Sequence, residues 1–138
     1  MQTFQPPHDS LEKLHAVLGE QDDIDLAVLI GSQSTGEATA ASDWDIAVRL
    51  RPSGTFFQDL GRMETVRRLC AAALGVPDTQ IDLIDLKMAR LAIRAVVAEE
   101  GIPVKGDETL NWSHFLRRTW RELEEYYFMK EPEIDAAR

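Results

Sequence analysis

Two aspartates separated by one residue, Asp43 and Asp45, follow a Gly31–Ser32 pair after an interval of ten residues. Apolar runs flank both motifs, Leu26–Ile30 before the glycine and Ile46–Val48 after the second aspartate. Side chains alternate in a strand, so the two carboxylates share one face and repel each other unless a cation lies between them. Hard oxygen ligands favour Mg²⁺, which completes its shell with water and phosphate oxygens. The pattern therefore predicts a site for a metal-bound nucleotide.

The Gly31–Ser32 pair is the predicted phosphate-contacting turn of this site. Glycine has no Cβ, so backbone N–H groups at such a turn can approach a phosphate chain closely. The segment that follows is small and polar, and we expect part of it to form a short helix with its N-terminus facing the site.

A later strand, predicted over Gln80–Leu86, carries two further carboxylates, Asp82 and Asp85. They are three residues apart and therefore lie on opposite faces, so only one of them can join the first pair. The strand pattern alone leaves the choice open.

Composition limits the classes of function. The chain has 138 residues, of which 44% are hydrophobic, and this is enough for one ordinary core. Its 15 basic residues face 24 acidic ones, which disfavours a free-standing nucleic-acid binder because such proteins cluster Lys and Arg against phosphates. The net charge of -9 suits divalent metal or a basic protein partner.

Targeting signals are not apparent in the sequence. The apolar runs are far shorter than the roughly 20 residues that span a bilayer, and the N-terminus does not resemble a signal peptide. A single cysteine, Cys70, excludes an internal disulfide and fits a reducing, cytoplasmic location.

Hydrophobic periodicity predicts the strands and helices of an α+β fold, with an amphipathic helix at the C-terminus. We expect one domain over residues 1–138, with a core at about 10–105 and the C-terminal helix at about 110–128. The predicted elements are a helix over Asp9–Leu18, strands over Ile24–Ile30, Asp43–Leu50 and Gln80–Leu86, a helix at least from about Leu60 to Leu74, a helix over Ala89–Glu100, an edge strand over Ile102–Val104 and a final helix over Trp112–Phe128.

The final helix carries an aromatic stripe that is expected to pack mainly on its own sheet. Such a stripe can also bury one edge and offer the other to a partner. Its members are Trp112, Phe115, Leu116, Trp120, Leu123 and Tyr127.

Taken in order, Gly31–Ser32, Asp43–Asp45 and Ile81–Leu86 resemble the minimal nucleotidyltransferases (MNT) of the DNA polymerase beta superfamily. The resemblance extends over roughly residues 20–128 and implies the nucleotidyltransferase fold of the polymerase beta type, a small mixed sheet flanked by helices. In that family the first aspartate of the last segment is the third catalytic carboxylate, so the resemblance assigns that role to Asp82.

The resemblance implies transfer of AMP from ATP to a hydroxyl group. Asp43 and Asp45 would bridge two Mg²⁺ ions. Asp82 would complete the shell of the catalytic metal and help take the hydroxyl proton. Gly31 and Ser32 would hold the triphosphate. One departure from many relatives is the absence of an arginine after the Gly-Ser pair, which would give the triphosphate an extra cationic contact. Arg49 or Lys87 could substitute for it, although surface charges near strand ends are the favoured interpretation of both.

Within the family, the likeness is strongest to MntA-type antitoxins of HEPN/MNT toxin–antitoxin pairs. It implies a HEPN-type toxin as partner, a tyrosine of that toxin as the AMP acceptor, and a type VII-like antitoxin role. Two alternatives stay open, namely neutralisation by binding alone and adenylyl transfer to a small molecule. The second is disfavoured because the chain has no room for a separate acceptor domain. Homo- or hetero-oligomeric assembly is also left open.

Overall fold

The structure is a computed structural model that describes residues 8–39 and 41–136. A four-stranded sheet has the order β3-β2-β1-β4, in which β1 is antiparallel to both neighbours and β3 is parallel to β2. The elements are α1 His8–Gly19, β1 Ile24–Ile30, α2 Ser32–Thr35, β2 Trp44–Leu50, α3 Phe56–Leu74, a 3₁₀ turn Asp78–Gln80, β3 Ile81–Asp85, α4 Leu91–Glu100, β4 Ile102–Lys105 and α5 Leu110–Ala136.

Helix α3 begins earlier than the hydrophobic pattern alone indicates. Thr55 caps it, because the Thr55 side chain accepts a hydrogen bond from the Gln58 N–H while the Gln58 side chain accepts one from the Thr55 N–H. This reciprocal capping box starts the helix at Phe56 rather than near Leu60.

The central strand β1 is buried on both faces, as its continuous apolar run indicates. One face, with Trp44 and alternate residues of β2, packs against α1 and α3, and the prediction that Trp44 is a core residue is confirmed. The opposite face, with Leu26, Val28 and Ala47, packs against α4 and the first half of α5. The sheet therefore separates two hydrophobic clusters.

Within residues 110–129 of α5, the side chains that pack on the sheet lie towards the start of the helix. Phe115 is buried and stacks on Trp112, with their ring centroids 5.5 Å apart. Trp120 and Tyr127, by contrast, are 40% and 61% exposed. The expectation that the stripe packs mainly on its own sheet therefore holds for its first part, and Trp120 and Tyr127 form an exposed edge.

The length of α5 explains this difference. Its 27 residues span about 40 Å. The sheet is about 15 Å across its four strands and about 23 Å along its longest strands. Within the described part of the chain, no helix is long and apolar enough to cross a membrane.

Candidate active site

The two sequence motifs meet where β1 ends and β2 begins. Asp45 pairs with Ile30 across the two antiparallel strands, so the turn at Gly31 lies beside the aspartate. A Cβ built on Gly31 would lie 2.4 Å from Asp45 Oδ2, and the glycine has a φ of 76°. Both observations show why this position suits glycine, since a side chain would displace the carboxylate.

The parallel pairing of β2 and β3 distinguishes Asp82 from Asp85. Asp82 is the direct neighbour of Asp45, whereas Asp85 is the neighbour of Val48. Because neighbouring residues in a sheet share a face, Asp82 lies on the carboxylate face and Asp85 lies on the opposite one. The structure thus brings Asp43, Asp45 and Asp82 together and leaves Asp85 out.

The three carboxylates interact electrostatically. Partial burial raises the pKa of Asp45, and the nearby charges of Asp82 and Asp43 and a hydrogen bond with Asp82 raise it further. Each cause disfavours the ionised form. A bound cation would remove this penalty, so the cluster fits a group of positive charge.

The turn that follows Gly31 is closed by local hydrogen bonds. The N–H groups of Ser34 and Thr35 both donate to the Gly31 carbonyl, at 3.0 and 3.2 Å, and the Ser34 hydroxyl donates to the same oxygen at 2.9 Å. Ser32 opens the single helical turn α2 and is half-buried. The predicted short helix after Gly31 is therefore confirmed.

Gln33 is a structural residue of this turn that the sequence analysis did not single out. It is 3% exposed, and its Nε2 donates to the Ser42 carbonyl at 3.5 Å, immediately before Asp43. This bond ties the start of the turn to the start of the carboxylate motif. The only sequence signal is an amide at the position after the Gly-Ser pair.

The carboxylate oxygens of this site are ligands of the kind that Mg²⁺ prefers, although the described side chains do not form a complete metal site by themselves. Among residues 8–39 and 41–136, no group of three or more His, Cys, Asp or Glu side chains is arranged to hold a metal ion by itself. Mg²⁺ commonly uses only one or two carboxylates and takes its other ligands from water and substrate phosphates. Asp45 and Asp82, side by side on adjacent strands, supply such a pair.

A groove with both apolar and charged walls runs beside the carboxylates, along the free edge of β3. Its volume is about 510 Å³, and it lies between β3 and α3. Phe56, Leu60, Met63 and Met88 are among its apolar side chains, and its charged side chains are Asp59, Glu64, Arg67, Asp82, Asp85 and Lys87. A flat apolar group with a hydroxyl at its tip would therefore find both packing surface and a carboxylate here.

The fold and these residues define a nucleotide-transfer class of protein, with a glycine-serine turn and three carboxylates at one end of a mixed sheet. The sequence matches the family model described as "Polymerase beta, Nucleotidyltransferase" over residues 12–109. The chain belongs to this family. No curated protein matches the sequence significantly.

Solved structures share the whole fold. A chain from "Crystal structure of the toxin-antitoxin with AMP-PNP" is 23% identical, with a TM-score of 0.66 over 92% of this chain and 97% of that chain. A chain from a tri-AMPylated Shewanella oneidensis HEPN toxin in complex with MNT antitoxin is 20% identical, with a TM-score of 0.60 over 93% and 95%. At these identities the likeness establishes the fold.

We expect Asp45→Asn to raise the melting temperature of the metal-free protein at neutral pH. The folded state raises the pKa of Asp45 above its ordinary value of 3.8, so the folded protein holds this proton more tightly than the unfolded chain does. The ionised carboxylate therefore costs stability once the pH exceeds the raised pKa, and this cost disappears as the pH falls towards 3.8. Asparagine does not ionise and avoids the cost.

Melting curves of wild type and variant in a chelator, from neutral pH down to about pH 4, measure this difference. The gap between the two melting temperatures should narrow as the pH falls. Asp22→Asn, a change of an exposed aspartate outside the site, is the matched control and should leave the melting temperature unchanged. A variant less stable than wild type at neutral pH would contradict the electrostatic interpretation.

Proposed function

We propose that this protein transfers AMP from ATP, with Mg²⁺, to a tyrosine of a HEPN-type toxin and thereby acts as its antitoxin. The observation that carries the proposal is the pairing of Asp45 with Asp82 beside Gly31–Ser32, in a chain of the polymerase beta nucleotidyltransferase family. A cytoplasmic location accompanies the proposal, and the free, buried thiol of Cys70 suits it.

Each site residue has a role in this reaction. Asp43, Asp45 and Asp82 would hold the metal ions. Two bound Mg²⁺ ions supply charge neutralisation at the entering and leaving oxygens of an in-line displacement. Gly31 allows the backbone to approach the triphosphate, and the Ser32 hydroxyl donates a hydrogen bond to it.

Asp82 is also placed to accept the proton of the acceptor hydroxyl, because it lines the groove by which an acceptor would approach. The acceptor oxygen then bonds to the α-phosphorus, and the bond from that phosphorus to the bridging oxygen breaks. Pyrophosphate leaves with the electron pair of the broken bond. The carboxylate cluster and the turn thus act mainly by positioning and charge neutralisation.

The acceptor assignment has two supports. Structural neighbours include a toxin–antitoxin complex with AMP-PNP and a tri-AMPylated HEPN toxin bound to an MNT antitoxin. The groove beside Asp82 contains apolar side chains on which a tyrosine ring can pack, among them Phe56, Leu60 and Met63. The exposed Trp120 and Tyr127 on α5 offer further apolar surface for a toxin, and the net charge of -9 suits a basic one.

Incubation with Mg²⁺ and α-labelled ATP, with and without the product of the adjacent gene, tests the proposal. We expect label on that partner, loss of label in a chelator, and loss of label with Asp45→Asn. A small-molecule acceptor would instead give label that does not migrate with any protein.

Neutralisation by binding alone makes the opposite prediction for the same variant. Asp45→Asn would then still form a stable complex and still neutralise the toxin, and wild type would leave the partner unlabelled. That result would reduce the carboxylates to a structural feature and assign the antitoxin role to the partner-facing surface.

A further inference from the structure

A second cavity, distinct from the carboxylate site, concentrates positive charge in this acidic chain. It has a volume of about 300 Å³ and lies where the far ends of β2 and β3 meet α4 and α5. Five basic side chains line it: Arg49, Lys87, Arg94, His114 and Arg118. Because the net charge of the chain is -9, a cavity lined by five basic side chains differs from the rest of the protein in its charge.

Arg94 is held in a fixed orientation at this cavity. Its Nε donates to the Ala89 carbonyl at 3.3 Å, and its Nη2 forms an ion pair with Glu122 Oε2 at 2.5 Å. The remaining nitrogen, Nη1, is buried and has no hydrogen-bond partner among the described residues. The buried Glu122 Oε2, which contacts Nη2 as an ion pair, also lacks a hydrogen bond within the described part of the chain. The guanidinium is therefore preorganised with one donor unused.

Arg49 offers a second unused donor. Its Nε is buried and lacks a hydrogen-bond partner within the part of the chain that the structure describes. The expectation that Arg49 is merely a surface charge is thus wrong, since the side chain is half-buried in the cavity wall. It shares a sheet face with Asp45 but lies four residues further along β2, about 13 Å away.

The carboxylates near the cavity do not balance its charge. Glu122 pairs with both Arg94 and Arg118, and Asp59 lies 3.9 Å from Lys87 while also pairing with Arg62. The Arg49 Nε, by contrast, is buried without a hydrogen-bond partner among the described residues. Buried charged donors without partners are costly, so a wall of this kind favours a bound anion.

We propose that this cavity binds an oxyanion of the phosphate class, such as pyrophosphate or the phosphate group of a nucleotide. Guanidinium groups match phosphate oxygens in geometry and form the stronger, charge-assisted hydrogen bonds. A volume of about 300 Å³ is sufficient for such a group. The site does not depend on the carboxylates and does not require the proposed transfer activity.

Calorimetric titration of the full chain with pyrophosphate in a metal chelator tests this proposal. We expect saturable binding by wild type and binding weakened about tenfold or more by Arg49→Met, which keeps the apolar stem but removes the charge. Asp45→Asn should bind as wild type does. Titration with AMP and inorganic phosphate then tells which phosphate source the cavity prefers.

Arg117→Met is the matched control, because Arg117 is an exposed arginine on α5 that does not line the cavity. It removes the same charge from the protein and should leave the affinity nearly unchanged. Arg118→Met, at a side chain 65% exposed, gives a second test that does not disturb the core if Arg49→Met fails to fold. It should also weaken binding.

Three results would overturn the proposal. Wild type that binds neither pyrophosphate, AMP nor phosphate has no such site. Equal weakening by Arg117→Met and Arg49→Met would reduce the effect to net charge. Binding lost in Asp45→Asn but kept in Arg49→Met would assign the anion to the carboxylate site instead.

Discussion

Asp82→Asn should lower nucleotidyl transfer by about a hundredfold to ten-thousandfold, the range that loss of a positioned proton acceptor costs. Asp82 is the neighbour of Asp45 on the adjacent strand and lines the groove where an acceptor would lie. The amide that replaces it is neutral, so it neither takes the hydroxyl proton nor supplies a charged ligand to a metal. Quantifying the label transferred from ATP to the partner measures the effect.

Asp85→Asn is the matched control, on the same strand and of the same chemistry. Asp85 lines the same groove, but its neighbour on β2 is Val48 rather than Asp45, so it lies outside the carboxylate cluster, and its Oδ1 accepts the Lys87 N–H at 3.0 Å. Asparagine keeps an oxygen at that position, so transfer should remain within a few-fold of wild type. Retention of transfer by Asp82→Asn and its loss in Asp85→Asn would reverse the assignment of the third carboxylate.

Gly31→Ala should lower both the stability of the fold and the transfer activity. Gly31 has a φ of 76° and a ψ of -157°, a backbone region that essentially only glycine occupies, and an L-residue held there costs about 1–3 kcal/mol. The new methyl group would also lie 2.4 Å from Asp45 Oδ2, so the carboxylate would have to turn away. A rotation of the Asp45 carboxylate relieves the clash but moves its oxygens away from the proposed metal and nucleotide site. We therefore expect transfer to fall by about a hundredfold or more.

Gly61→Ala provides the comparison for that variant. Gly61 lies inside α3, and a Cβ there would meet nothing within 4 Å. Alanine should therefore raise the free energy of unfolding by up to about 1 kcal/mol and leave transfer unchanged. Urea denaturation and label transfer, measured on both variants, separate the effects. A fully active Gly31→Ala would show that the turn does not constrain Asp45.

Much of the architecture follows from local pattern. The apolar run of β1 and the alternation in β2 predict the strands, the buried face of Trp44 and the shared face of Asp43 and Asp45. These are properties of single elements with a period of two residues. The capping pair Thr55 and Gln58 was equally local, and it would have set the start of α3 correctly.

The features that the sequence pattern did not predict depend on contacts between segments that are distant in the sequence. Asp82 and Asp85 look alike within β3, and only the register with β2 places the first beside Asp45. Arg49 becomes part of a cavity wall because α4 and α5 pack over the end of its strand. The exposure of Tyr127 on α5 follows from the limited size of the sheet, which no property of the helix itself reveals.

Because Cys70 is buried, the reaction of its thiol with an alkylating reagent can report when this part of the core opens. The thiol is fully buried between α3 and the sheet, and burial raises its pKa to about 12. A thiol in this state is neither ionised nor reachable by an alkylating reagent at neutral pH. Since the chain has one cysteine, the rate at which such a reagent consumes it follows the opening of the α3 side of the core, without any introduced label.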